Sequence, residues 1–88
     1  MPKRLEETVG LMFSEDYKDR LKAEYWQLKL RYNDLHEFLI KYEAGMEIIS
    51  PPEKSKLMQL QARVMEKYLK LLEERAVLEG MDLESGDV

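Results

Sequence analysis

The chain has 88 residues, 14 of them basic and 18 acidic, for a formal net charge of −4; that size holds one domain and excludes a multidomain enzyme or a large enclosed cofactor site. With 44% hydrophobic and 36% charged residues but only 4 Gly and 3 Pro, the composition points to long solvated helices and an all-α fold. No cysteine is present, which excludes a disulfide framework, a thiolate nucleophile and a Cys-based zinc site.

Charge is unevenly placed. Ser14 to Ala44 carries 6 basic and 7 acidic residues and Pro51 to Glu79 carries 6 and 5, so the excess resides in Glu47 and in Asp82, Glu84 and Asp87. A neutral body with an acidic tail lacks the footprint that grips a phosphate backbone, and general DNA or RNA binding is not expected. No run approaches the roughly 18 apolar residues of a membrane span, and the start Met1-Pro2-Lys3-Arg4-Leu5 lacks the apolar centre of a signal peptide. No membrane partner and a cytoplasmic location are the expectations.

In chain order, residues 1–13 contain Leu5, Val9, Leu11, Met12 and Phe13 interrupted by Gly10, and read as an N-terminal arm that packs on a partner or frays. A domain spanning 14–80 follows, with helices at about 14–44 and 51–79. Ser14 opens the first as an N-cap, with Glu15 and Asp16 on the positive end of the helix dipole. Leu21, Leu28, Leu35 and Tyr42 recur every seven residues, and Tyr25, Tyr32 and Leu39 sit four after the first three of them, forming one apolar stripe. Trp26, Leu30, Phe38 and Ile40 widen it beyond what one partner helix covers, and Gly45 closes the helix. Ser50-Pro51-Pro52-Glu53 combines a capping-box pattern with proline at the first helical position. The second helix then carries Leu57, Val64, Leu71 and Leu78 as its seven-residue series, with Leu60, Tyr68 and Leu72 beside it, and Met58, Met65, Leu69 and Ala76 as a second flank before Gly80. Residues 81–88 read as a flexible acidic tail in which Leu83 alone is suited to docking.

The short connection between two helices of roughly 40 to 46 Å predicts an antiparallel helical hairpin. Both apolar arcs are too wide for a lone hairpin, so the hairpin is expected to assemble as a homo-oligomer, an oligomeric helical bundle of coiled-coil type. Glu24 and Arg75 fall within one turn of each other across the hairpin and are expected to pair, since either charge alone at a seam would be costly.

No catalytic constellation is present: the chain has one histidine and lacks a Gly-rich phosphate loop, a Gly-x-Ser-x-Gly turn and a His-Glu-x-x-His motif. A non-enzymatic protein without cofactor or metal is expected, with His36 as a surface or seam residue. Binding residues are better represented. Lys18, Lys22, Tyr25 and Lys29 follow at spacings of four, three and four, lining one helical strip with Trp26 adjacent. Arg63, Lys67 and Lys70 cluster beside Tyr68 on the second helix. Lys22, Tyr25, Lys29, Arg31, Arg63 and Lys67 are the candidate ligand-binding set: the cations would clasp phosphates and the aromatics would stack on a base. The alternative for each is an ordinary solvated face or a core tyrosine with a wet hydroxyl. Met58 and Met65 offer a second alternative, an adaptable protein-binding surface.

The run Tyr25-Trp26-Gln27-Leu28-Lys29-Leu30-Arg31-Tyr32-Asn33-Asp34-Leu35 is joined by a second, Met65-Glu66-Lys67-Tyr68-Leu69-Lys70-Leu71-Leu72-Glu73-Glu74-Arg75-Ala76, and by the closing Glu79-Gly80-Met81-Asp82-Leu83. Together these resemble a family of short helical proteins from tailed phages and prophages, known from crAss-like phages and phages of Firmicutes. The resemblance covers about Lys18 to Leu83, with Gln61, Met65, Tyr68, Leu72 and Arg75 matching the pattern of its second helix. It implies phage origin and a helical hairpin and carries over no site residues. Small non-enzymatic phage proteins of this kind act by stoichiometric binding. The first expectation is therefore counter-defence, by holding a host immune signal such as a cyclic nucleotide in pockets between subunits, in the host cytoplasm. The alternatives are an inhibitor or adaptor of a host defence protein and a structural component of phage assembly.

Overall fold

The computed structural model describes residues 4–84 and is all-helical over that range, with four elements in order. A single turn of 3-10 helix, Leu5–Thr8, runs into a short α1, Val9–Met12; α2, Tyr17–Glu43, and α3, Lys54–Leu78, make up the body. The expectations for residues 1–3 and 85–88 lie outside the described residues.

Both long helices start about three residues later than their sequence signals suggest. At α2 the cap is Asp16, whose carboxylate accepts from the Lys18 amide at 2.9 Å. Ser14 instead accepts from the Asp16 amide and donates to Asp19 at 2.8 Å, bracing the turn before the helix. The two side chains accept from different amides, and the Asp16 carboxylate, which sits at the helix start, also gains from the helix dipole. At α3 the N-cap is Glu53, without a side-chain capping bond. Pro51 and Pro52 precede the helix, and their carbonyls accept from the amides of Lys54 and Ser55. A proline disfavours helical backbone in the residue before it, so Pro51 ahead of Pro52 cannot open the helix.

The helix ends follow their glycines. Gly45 and Gly80 have φ of +79° and +66°. Met46 bonds back to Lys41 and Gly45 to Tyr42, and Met81 to Ala76 and Gly80 to Val77, so both ends close as Schellman motifs that satisfy the last carbonyls.

Hydrogen bonds from Tyr17 to Glu79 and from Tyr25 to Glu73 tie α2 to α3 with residue numbers running in opposite senses. The core lies at one end of this pair, where Leu21, Tyr25 and Trp26 of α2 meet Leu69, Leu72 and Ala76 of α3. The α2 stripe read from the sequence is the inward face. On α3 the order is inverted: Leu57, Val64, Leu71 and Leu78 are exposed, and Leu69, Leu72 and Ala76 are buried. The inward series carries small residues, Ser55, Ala62 and Ala76, opposite a helix bearing Tyr25, Trp26 and Tyr32, and alternation of bulk across a seam lets helices approach.

Two flanking segments complete the core. Leu83 is buried against it and its carbonyl accepts from the Trp26 indole at 2.7 Å, so the acidic segment is docked as far as residue 84. The N-terminal arm packs on α2 of its own chain. Thr8 is fully buried, and Gln27 donates to its hydroxyl at 2.9 Å and also contacts the Met12 sulfur; burying that hydroxyl without a partner would cost about 1–3 kcal/mol.

The expected Glu24–Arg75 ion pair does not form. Arg75 donates to the Tyr17 hydroxyl at 2.9 Å and lies 5.9 Å from that ring's centroid, with Glu24 acting only as a nearby charge. Arg75 is exposed, so no desolvation forces it to seek a carboxylate.

Candidate functional site

Two adjoining clefts lined by α2 and α3 form a groove between the helices. One cleft of about 210 Å³ is lined by Tyr32, His36, Leu39, Ile40 and Glu43 from α2 and by Gln59, Ala62, Arg63 and Glu66 from α3. An adjoining cleft of about 310 Å³ shares Tyr32 and Glu66 with it and adds Lys29, Leu69, Lys70 and Glu73. Periodicity explains the lining. Lys29, Tyr32, His36 and Glu43 recur at three, four and seven along α2, and Gln59, Arg63, Glu66, Lys70 and Glu73 at four, three, four and three along α3, each tracing one edge of its helix.

An aromatic pair lines the α2 edge, half-buried Tyr32 and exposed His36: the two rings stack with centroids 5.4 Å apart and planes 15° from parallel, the contact that residues four apart on a helix can make. Partial burial, followed by the nearby Glu66 carboxylate that accepts from it, holds the Tyr32 hydroxyl above its usual range. It therefore remains a neutral donor at physiological pH. Arg63 stands at one end, and Lys29 and Lys70 at the other. Glu43, Glu66 and Glu73 alternate with these cations, so the groove offers acceptors for N–H and O–H donors as well as charge for an anion. A small-molecule pocket encloses roughly 300–1,000 Å³; the first cleft falls below that range and the second sits at its lower limit, and both are open to solvent on the outer side.

Of the six residues singled out from sequence, Lys29 and Arg63 line the groove. Tyr25 does not. It is buried in the core in an edge-to-face contact with Trp26, centroids 5.1 Å apart, and donates to Glu73 at 3.0 Å. Burial first, then the bond to Glu73 and the charges of Glu73 and Glu84, push its pKa up to about 12. The strip of Lys18, Lys22, Tyr25 and Lys29 is thus broken at its only aromatic member. Lys22 is half-buried on α2, and Arg31 and Lys67 are exposed, all three outside the groove. The Tyr32–His36 pair shows in the sequence only as a four-residue spacing among other aromatic and polar positions. Lys70, grouped with Arg63 and Lys67 by sequence, lines the second cleft. A third cleft, bounded by Tyr25, Glu73, Asp82 and Glu84, is acidic and unsuited to phosphate.

Among known protein families, Sequestin matches residues 15–78 of the chain. The chain belongs to the Sequestin family. No curated protein and no solved structure matches it. The matched span takes in all of α2 and α3 and hence every residue of the groove, and it leaves out the N-terminal segment and the docked Leu83. The family name is compatible with a sequestering, binding function. Among the described residues no helix is long and apolar enough to cross a membrane.

Proposed function

We propose that this member of the Sequestin family is a non-enzymatic phage protein that sequesters a host immune nucleotide signal, a cyclic nucleotide, in the α2–α3 groove within the host cytoplasm. The observation that carries the reading is the Tyr32–His36 stack with Arg63 at one end and Lys29 and Lys70 at the other. A nucleobase extending the stack contributes about 1–3 kcal/mol. Arg63 presents a fork that matches a phosphate in two parallel bonds, and the interspersed glutamates accept from ribose hydroxyls and exocyclic amines. Neither cleft encloses a whole nucleotide, which supports the antiparallel hairpin of α2 and α3 acting as one unit of an oligomeric bundle whose second copy completes the site.

Native mass spectrometry of gently purified protein, followed by calorimetry with a panel of cyclic mono- and dinucleotides, tests this. Retained mass of nucleotide size, lost together with binding in Arg63→Glu and Lys29→Glu and weakened about tenfold or more in His36→Ala, is the expected result. An empty protein that takes up none of the panel would overturn it.

A further inference from the structure

Two seven-residue series occupy α3, offset by two positions and therefore by about 200° around the helix. Ser55, Met58, Ala62, Met65, Leu69, Leu72 and Ala76 form the series turned toward α2. Leu57, Leu60, Val64, Leu71 and Leu78, with Tyr68 at the margin, form the other, and all are exposed, Leu57 at 68% and Leu78 at 87%. No part of the chain within the described residues covers this second stripe. These exposed apolar side chains are contiguous along one face of the helix, and a contiguous apolar patch, unlike singly scattered surface hydrophobics, marks a surface that a partner covers.

We propose that this outer face of α3 is the seam of an antiparallel homodimer. A seven-residue apolar repeat running from Leu57 to Leu78 is complementary to another helix of the same repeat, and a second copy supplies one with an equal exposed stripe. Charge sets the direction. The two positions of the repeat that lack an apolar side chain are Lys67 and Glu74, opposite in sign and one heptad apart. A parallel pairing sets Lys67 against its own copy and Glu74 against its own copy, which is repulsive twice over. An antiparallel pairing with facing residue numbers summing to about 138 brings each Lys67 within a turn of the partner's Glu74 and sets Leu60 against the partner's Leu78, with Leu57 at the edge of the seam. Such an interface is self-complementary and closed, so assembly stops at two along this face. The inference stands on the α3 surface alone and does not depend on what the groove binds, although Arg63, at the edge of both, would then border the partner.

Sedimentation equilibrium of the full chain, with Lys67→Glu, Glu74→Lys and the double swap, tests seam and direction together. Dimerisation of the unaltered chain at micromolar concentration is expected, weakened at least about tenfold in each single variant and restored to within about threefold in the double swap. Far-UV circular dichroism should show unchanged helix content, since both side chains are exposed. A second measurement guards against a folding defect. Because the chain has no cysteine, a mixture of Lys67→Cys and Glu74→Cys chains under mild oxidation should form the mixed disulfide in preference to either symmetric one. A chain that stays monomeric at 100-fold higher concentration, a dimer indifferent to the swaps, or preferential symmetric cross-linking would each overturn the proposal.

Discussion

Removing residues 82–88 should cost far more than loss of an acidic tail, because Leu83 closes the core over Trp26. Leu83 is 8% exposed and Trp26 1%. Uncovering a leucine forfeits about 1.5–3 kcal/mol. The indole N–H, which donates to the Leu83 carbonyl at 2.7 Å, loses a bond with a net worth of about 0.5–1.5 kcal/mol. The sum, about 2–4 kcal/mol, is a large share of the 5–15 kcal/mol stability of a typical domain. At about 4–8 °C per kcal/mol for a domain of this size, the midpoint of thermal unfolding should fall by at least about 8 °C. Trp26 is the only tryptophan, so its emission reports the same site, and the truncated chain should emit at longer wavelength before any unfolding. Leu83→Ala keeps the carbonyl and should show the apolar share alone, while Trp26→Phe removes the donor. Urea and thermal unfolding followed by both fluorescence and circular dichroism measure all three. A truncated chain with unchanged emission and midpoint would refute the claim that this segment belongs to the core.

The two faces of α3 should separate in adjacent substitutions: Leu72→Ala, at a fully buried site, should destabilise by about 2–5 kcal/mol, whereas Leu71→Ala should stay within about 0.5 kcal/mol in urea unfolding at concentrations too dilute for self-association. Gly45→Ala forces a side chain into the left-handed region at φ +79° and should cost about 1 kcal/mol, read as a lower urea midpoint with unchanged slope. Tyr25 gives a pH dependence. Its pKa rises from 10.0 to about 12 on folding, so the folded state retains the proton where the unfolded state has lost it. Its contribution is complete below pH 10 and is lost as pH rises toward 12; Tyr25→Phe should show a shallower alkaline decline in stability, and an identical decline would refute the assignment.

The all-α class, two long helices and their C-terminal stops follow from the chain alone, because local rules suffice for them. A 3.6-residue apolar period needs no partner to be recognised, and a left-handed cap after a helix calls for glycine whatever surrounds it. The α2 stripe from Leu21 to Tyr42 belongs to the same class, since that helix carries a single dominant apolar face. Helix starts were less legible, as Ser14 and Asp16 offer alternative caps two residues apart. Tertiary packing alone decided which stripe of α3 turns inward, because both repeat every seven residues and the exposed one is the bulkier, whereas Tyr25 and Trp26 call for the small residues of the other. It also decided the partner of Arg75, the burial of Tyr25 and the docking of Leu83. The groove stands between these two cases. Tyr32 and His36 show their spacing in the sequence, but their meeting with Arg63 and Lys70 depends on the register between α2 and α3, which packing across the seam determines and neither helix carries by itself.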